Sequence, residues 1–411
     1  MWPNVMENPG MVIVGAGMAG ARAVIALRAA DYAGPITLIG EEALLPYDRP
    51  PLSKGAITSD EAPTPALLLD DDQLRSLNAR FMRSAKVTKL DPKAKMVGLS
   101  DGTSVHYEKL LIATGAKPRK LTLPGGEFAL TLRDFADAEY LREQFTPGKK
   151  IAIIGGGFIG LELAASARKR GCDVTLIEAQ PRILMRGVPE AIAKVVHDRH
   201  IANGVNLMTG IGLAKLEKHS VHLTDGRVIA ADLIIAGIGA APEVTLAAEA
   251  GLKIENGIAC DENLRTSDPD IYAAGDCCNF PHVSFGSRRT RLEAWRSATD
   301  QANTAVANML GGNVLHNAMA WFWSDQHDLT LQIAGATDLG TKTITRHLSP
   351  EAFIIFHLTD DNRLVGASGI GPGNSIARDV RLAEMLVAKN ISPTAAQLED
   401  PTTQLRMLLK G

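Results

Sequence analysis

A strand-turn-helix-strand unit occurs twice in this chain and constrains its fold more than any other feature of the sequence. The first copy reads Val12-Ile-Val-Gly15-Ala16-Gly17-Met-Ala-Gly20, runs on as a small-residue helix through Ala30, and closes on Ile36-Thr-Leu-Ile39, Gly40 and Glu41. The second reads Ile151-Ala-Ile-Ile-Gly155-Gly-Gly157-Phe158-Ile159-Gly160, then a helix over Leu161–Arg170, then Val174-Thr-Leu-Ile177 ending at Glu178. The spacing has a chemical reason. The first glycine permits a tight turn, the second lets backbone N–H groups approach a pyrophosphate, and the third lets the helix pack closely. The helix N-terminus supplies the positive end of its dipole to those phosphates. An acid just after the second strand, Glu41 or Glu178, can accept the hydroxyls of an adenosine ribose. Each copy therefore predicts a dinucleotide site. The Glu178 carboxylate would repel a 2′-phosphate and favours NADH over NADPH, although Arg182 lies four positions on.

The rest of the sequence narrows the class. At 411 residues the chain exceeds one ordinary core and predicts two or three domains. Its net charge of −3 offers no global positive field for nucleic acid or anionic lipid. The longest apolar stretches, 151–165 and 228–244, are short for a membrane span and are broken by glycines and by Glu162 or Asp232. The N-terminal MWPNVMENPG lacks the pattern of a secretory signal, so the expected location is the cytoplasm with no membrane partner. Four cysteines, Cys172, Cys260, Cys277 and Cys278, show no CxxC pair and no zinc-ligand spacing, so no metal is expected. A bond between neighbours Cys277 and Cys278 would be strained.

Outside the duplication, Pro46-Tyr-Asp-Arg-Pro-Pro-Leu-Ser-Lys54 is a proline-fixed stretch that holds two cations, Arg49 and Lys54, in place. Three apolar strands end in glycine turns: 110–116 with Ala113-Thr114-Gly115, 233–239 with Ile238-Gly239, and 271–276 with Gly275-Asp276. Asp276 can bond a sugar-like hydroxyl or cap a helix. Beyond Trp321, apolar runs at 329–333, 341–345, 353–357 and 364–367 predict strands, and 377–390 has helical spacing.

Taken together, the two glycine units, YDRPPLSK at 47–54, ATG at 113–115, GLELAA at 160–165, YAAGD at 272–276 and WFWSDQ at 321–326 resemble the FAD-dependent, NADH-using ferredoxin reductases of oxygenase electron-transfer chains, the biphenyl dioxygenase reductase and putidaredoxin reductase group. The resemblance implies an α/β fold of glutathione-reductase-like architecture. Two Rossmann-like domains, at 1–115 with 246–320 for FAD and at 116–245 for NADH, precede a C-terminal α+β domain at 321–411. It implies FAD contacts at Gly15, Ala16, Gly17, Gly20, Glu41, Arg49, Lys54, Val87, Ala113, Thr114, Gly115, Arg133, Asp276, Trp295 and Trp323. NADH contacts carry over to Gly155, Gly157, Phe158, Ile159, Gly160, Glu178, Ile238 and Gly239. Lys54 and Glu162 resemble an ion pair near the flavin.

The implied partner is a small acidic two-iron two-sulfur ferredoxin, for which Arg288, Arg289, Arg291 and Arg296 are a candidate docking cluster. Disulfide reductases of the same architecture carry a cysteine pair facing the flavin, whereas this chain has only Tyr47–Lys54 there. Two other readings stay open at this point. One is an NADH oxidase or rubredoxin reductase; the other is an NADH-sensing flavoprotein resembling apoptosis-inducing factor.

Overall fold

The structure is a computed structural model and describes residues 9–410; the reading of the N-terminus as lacking a signal rests on residues 1–8, outside the described residues. Among the described residues, no helix is long and apolar enough to cross a membrane. Two compact units are present: Met1–Asp48, Pro65–Lys117 and Ala241–Ala318 form one, and Arg49–Thr64, Pro118–Ala240 and Met319–Gly411 form the other.

The first unit is built on a parallel sheet in the order Ala79–Met82, Ile36–Ile39, Gly10–Val14, Ser104–Ile112, Ile271–Ala273. Gly10–Val14, Ile36–Ile39 and Ile271–Ala273 are near-continuous apolar runs, buried along their whole length, as strands covered on both faces are. Val12, Ile13, Leu38, Leu111 and Ile112 are all fully buried, each large aliphatic contributing roughly 1.5–3 kcal/mol. The helix Met18–Ala29 packs beside Trp295–Met309, where the Arg22 guanidinium donates to Asn303 Oδ1 at 2.9 Å. Two further strands, Val87–Asp91 and Met96–Leu99, run antiparallel onto the N-terminal half of Ser104–Ile112 as a meander.

The second unit repeats this plan. Its parallel order is Asn206–Thr209, Asp173–Glu178, Lys150–Ile154, Leu233–Ala236, Ala129–Leu130. A meander of Leu213–Glu217, Ser220–Leu223 and Val228–Ala230 again precedes the fourth strand. The duplication thus extends through the meander to the fourth parallel strand, with Ser104–Ile112 serving as both in the first copy, and sequence reasoning saw only its first third.

The same unit carries a five-stranded antiparallel sheet, ordered Trp321–Gln326, Leu329–Gly335, Leu364–Pro372, Ala352–Leu358, Lys342–Ser349, with the helix Ala377–Ala388 upon it. Buried Arg346 ties down the tail of the chain, donating to the carbonyls of Leu398 and Thr403 and pairing with Asp379. The segment 49–64, read from sequence within the first domain, groups by its contacts with this unit. Its turn Pro50–Ser53 leads into the short helix Gly55–Thr58, which Arg142 holds by donating its guanidinium to the carbonyls of Ile57 and Ser59.

Candidate functional site

Both glycine turns are shaped by backbone packing. Gly15 has φ +110°, and a Cβ there would meet the Ala113 carbonyl oxygen at 2.1 Å; Gly155 has φ +106°, and its Cβ would meet the Gly237 oxygen at 2.4 Å. Only glycine suits such a turn. The third glycines match as closely, since a Cβ on Gly20 would stand 1.9 Å from the Gly15 oxygen and one on Gly160 2.1 Å from the Gly155 oxygen. Ala113-Thr114-Gly115 and Gly237-Ile238-Gly239 are therefore equivalent parts of the two copies, each crossing over the first glycine.

Above the second glycines there is room. Nothing lies within 4 Å of a Cβ on Gly17, and on Gly157 only the Gly237 oxygen does, at 3.8 Å. Gly17 and Gly157 are also the N-caps of Met18–Ala29 and Phe158–Lys169, and neither helix start carries a side-chain cap. Open space beside uncapped N–H groups is what a pyrophosphate requires. A dinucleotide fits both cradles on this ground.

The rims of the two cradles differ. In the second unit, Glu178 accepts from Gly156 N and Gln180 N at 2.7 Å each, so its carboxylate is fixed at the edge of the turn. Arg182 is occupied elsewhere, donating to the carbonyls of Ile183, Leu184 and Val188 at 3.0 Å each. In the first unit, Glu41 pairs with Lys86 at 2.9 Å and is exposed.

Other residues expected at FAD fall into both units. Within the first, Val87 lines the core, Thr114 Oγ1 donates to the Glu243 carbonyl at 2.7 Å, the Asp276 carbonyl accepts from Arg291, and Trp295 Nε1 donates to Asp48 Oδ1 at 2.8 Å. Within the second, the Arg49 guanidinium donates to the Arg133 carbonyl at 2.7 Å, and Trp323 stacks on Trp321 with ring centroids 5.3 Å apart. At the NADH-assigned positions, Phe158 packs edge-on to Phe322 at 4.6 Å, Ile159 is exposed, and Gly239 has φ +94° with open space around it.

Lys54 and Glu162, expected as a pair, are one: Nζ lies 2.9 Å from Oε2. The local fold explains it. Glu162 and Ser166 share one face of Phe158–Lys169, and that face meets Pro50–Ser53, where Ser166 Oγ donates to the Ser53 carbonyl at 2.6 Å. Glu162 is buried, at 4% exposure, and accepts from three donors: Lys54, the Ser53 hydroxyl and the Ser324 hydroxyl. Ser324 entered the sequence reading only as a letter of WFWSDQ, with no role of its own. It belongs to the inward face of Trp321–Gln326 with Phe322 and Gln326, while Trp321, Trp323 and Asp325 take the other face.

All four cysteines are free and buried. Cys278 turns toward Cys260, at 3.6 Å, and away from its neighbour, and burial pushes the Cys277 thiol up to about 11. Members of the arginine cluster are engaged within the first unit: Arg289 with Asn279, Cys260 and Glu255, Arg291 with Glu293, and Arg296 with Asp300. Among the described residues no group of His, Cys, Asp or Glu could hold a metal.

Two glycine cradles on two parallel sheets, each with space for a pyrophosphate, define a two-dinucleotide oxidoreductase. Residues 9–302 match the family described as pyridine nucleotide-disulphide oxidoreductase, and residues 321–409 match the one described as reductase C-terminal. The chain belongs to the pyridine nucleotide-disulphide oxidoreductase family and carries the reductase C-terminal domain. It is 38% identical to the anthranilate 1,2-dioxygenase system ferredoxin–NAD(+) reductase component of Burkholderia cepacia, over 98% of this chain and 100% of the relative. It is 39% identical to the rubredoxin–NAD(+) reductase of Pseudomonas putida, over 79% and 86%. The crystal structure of the covalent putidaredoxin reductase–putidaredoxin complex superposes with a TM-score of 0.92 at 31% identity, covering 98% of each chain.

Proposed function

We infer that this chain is an NADH-dependent FAD reductase that passes electrons to a two-iron two-sulfur ferredoxin serving an oxygenase. The duplicated cradle carries the reading, and the absence of any cysteine from Tyr47–Lys54 removes the dithiol relay that disulfide reductases of this architecture use. Bound FAD accepts two electrons as a hydride and releases them singly, which converts nicotinamide chemistry into what an iron–sulfur cluster can accept. The chain's own part is to hold and to polarise. In the first unit Gly15, Ala16, Gly17 and Gly20 would seat the FAD pyrophosphate, with Glu41 at the ribose and Asp276 further along. In the second, Gly155, Gly157 and Gly160 would seat that of NADH. Lys54 supplies a fixed cation to the flavin, restrained by Glu162, and no side chain acts as a nucleophile.

The 38%-identical dioxygenase component and the putidaredoxin reductase structure support a ferredoxin as acceptor. The 39%-identical rubredoxin reductase makes a rubredoxin the second reading. A direct test is an anaerobic titration of the purified yellow protein with NADH, followed by cytochrome c reduction with a two-iron ferredoxin or a rubredoxin added. Bleaching and ferredoxin-dependent turnover are expected. A protein that stays colourless after reconstitution, or a flavin that NADH does not bleach, overturns the reading; turnover with rubredoxin alone selects the second.

Coenzyme choice follows from Glu178. With its carboxylate fixed by two backbone amides and Arg182 held by three carbonyls, a 2′-phosphate would meet a negative charge and an arginine already engaged. A hydrogen bond to a charged group is worth about 1.5–3 kcal/mol, so Glu178→Ala should lower kcat/KM for NADH by roughly tenfold or more while raising that for NADPH. An unchanged NADH/NADPH ratio would remove Glu178 from ribose recognition.

A further inference from the structure

A line of buried polar side chains runs away from Glu162, and the function above uses none of it. Ser324 Oγ lies 2.5 Å from Glu162 Oε1, Gln326 Nε2 lies 3.1 Å from Ser324 Oγ, His200 Nε2 lies 3.0 Å from Gln326 Oε1, and His327 Nε2 lies 3.3 Å from His200 Nδ1. All of it lies within the second unit. Ser324, Gln326 and His200 are 1%, 3% and 0% exposed, and His327 is half-buried beside exposed Asp328. Burying so many polar groups in one row is costly unless each is satisfied, and here each is.

Donor and acceptor roles along the row follow from its first member. A carboxylate only accepts, so Ser324 must give its single proton to Glu162. The Ser324 oxygen then accepts from the Gln326 amide nitrogen, which leaves the Gln326 carbonyl to accept from His200 Nε2–H. In neutral imidazole the other nitrogen is then bare, so His200 Nδ1 accepts from His327 Nε2–H. Every bond points toward Glu162. Bonds aligned head to tail polarise one another. Burial pushes the His200 imidazole down to about 4, with the Gln326 bond opposing the shift and His327 and His197 adding to it, so the ring stays neutral at physiological pH.

We propose that Ser324, Gln326 and His200 are positioning residues that orient the Glu162 carboxylate and, through it, the Lys54 ammonium. The inference rests on the reading of Lys54 as the cation serving the flavin. The row transmits orientation and no proton, because a carboxamide at Gln326 offers no ordinary path for proton relay between His200 and Ser324. Glu162 Oε2 takes Lys54 and Ser53, and Oε1 takes Ser324. Without the Ser324 bond the carboxyl group is free to rotate, and the ammonium moves with it.

Two measurements test this. Histidine-selective 15N spectra of the oxidised full-length protein should show His200 as the Nε2–H tautomer down to pH 5.5. A Nδ1–H tautomer would set a bare Nε2 against the Gln326 carbonyl oxygen, cut His200 out of the row and overturn the proposal. Stopped-flow reduction by NADH should slow about fivefold in Ser324→Ala and in Gln326→Met, the loss of about one buried hydrogen bond. Each should retain the wild-type KM for NADH and flavin content, with a melting temperature lowered by the loss of the buried bond. In a Lys54→Met background neither change should slow the rate further, since the row acts only through the ion pair. If the same fivefold factor multiplies onto Lys54→Met, the row is structural and the proposal fails while the Lys54 reading stands. If Lys54→Met reduces as fast as wild type, the Lys54 reading falls and takes the proposal with it.

Discussion

Replacing Lys54 with methionine slows the bleaching of bound flavin by NADH by about a hundredfold, the magnitude typical of losing one preorganised charge that stabilises a developing anion. The side chain keeps most of its length, so the change is chiefly one of charge. Lys54 is suited to this role because it is held rather than mobile: its ammonium rests 2.9 Å from a carboxylate that three donors immobilise. Glu162→Gln is the informative companion. It keeps the cation and loosens its anchor, so a smaller loss, nearer tenfold, is expected. Methionine at 54 also strands a buried carboxylate, and breaking a buried pair from one side costs about 3–5 kcal/mol when the remaining charge has no other partner. The two hydroxyl donors to Glu162 should reduce that cost. Single-turnover rates separate the effects, since a destabilised protein shows a lower melting temperature and less bound flavin, but the remaining holoprotein should still be slow. A holoprotein that bleaches at the wild-type rate removes Lys54 from the chemistry.

The sequence made the first third of each repeat legible, because two constraints coincide there. The turn needs glycine for backbone reasons, and the apolar strands on either side need burial. The rest of each repeat was hidden. The meanders at 87–112 and 213–236 are built from half-exposed strands such as Val87–Asp91, whose alternation is weak, so nothing in the sequence marks them as counterparts. Ala113-Thr114-Gly115 and Gly237-Ile238-Gly239 share a function in the fold but not a spelling, since what matters is a carbonyl crossing the first glycine. Long-range polar partners were less legible still. Glu162 and Ser324 are 162 positions apart and His200 and Gln326 are 126 apart, and no local period joins them. The Lys54–Glu162 pair was found only through a resemblance. Arg182 was an open question in sequence because a guanidinium reaches far, and in the structure it donates to three backbone carbonyls.

The duplication also supplies an experiment in which each half is the control for the other. Gly20→Val should yield a protein that folds its second unit yet retains little or no flavin, whereas Gly160→Val should remain yellow and lose its response to NADH. The steric argument is the same for both. A Cβ at these positions would sit 1.9 and 2.1 Å from the backbone oxygens of Gly15 and Gly155, inside any allowed contact, and a carbonyl in a tight turn cannot move aside as a flexible side chain can. Relief requires the helix to back away from the strand, which withdraws its N–H groups from the pyrophosphate. Overpacking of this kind costs about 1–3 kcal/mol in an ordinary core. Here the loss falls on binding as well, so a drop in nucleotide affinity of a hundredfold or more is expected, about 2.7 kcal/mol. Flavin content reads the first variant, and the NADH concentration needed for half-maximal bleaching reads the second. Flavin lost from Gly160→Val but retained by Gly20→Val would exchange the two nucleotide assignments; equal loss from both would mean that the cradles do not bind independently.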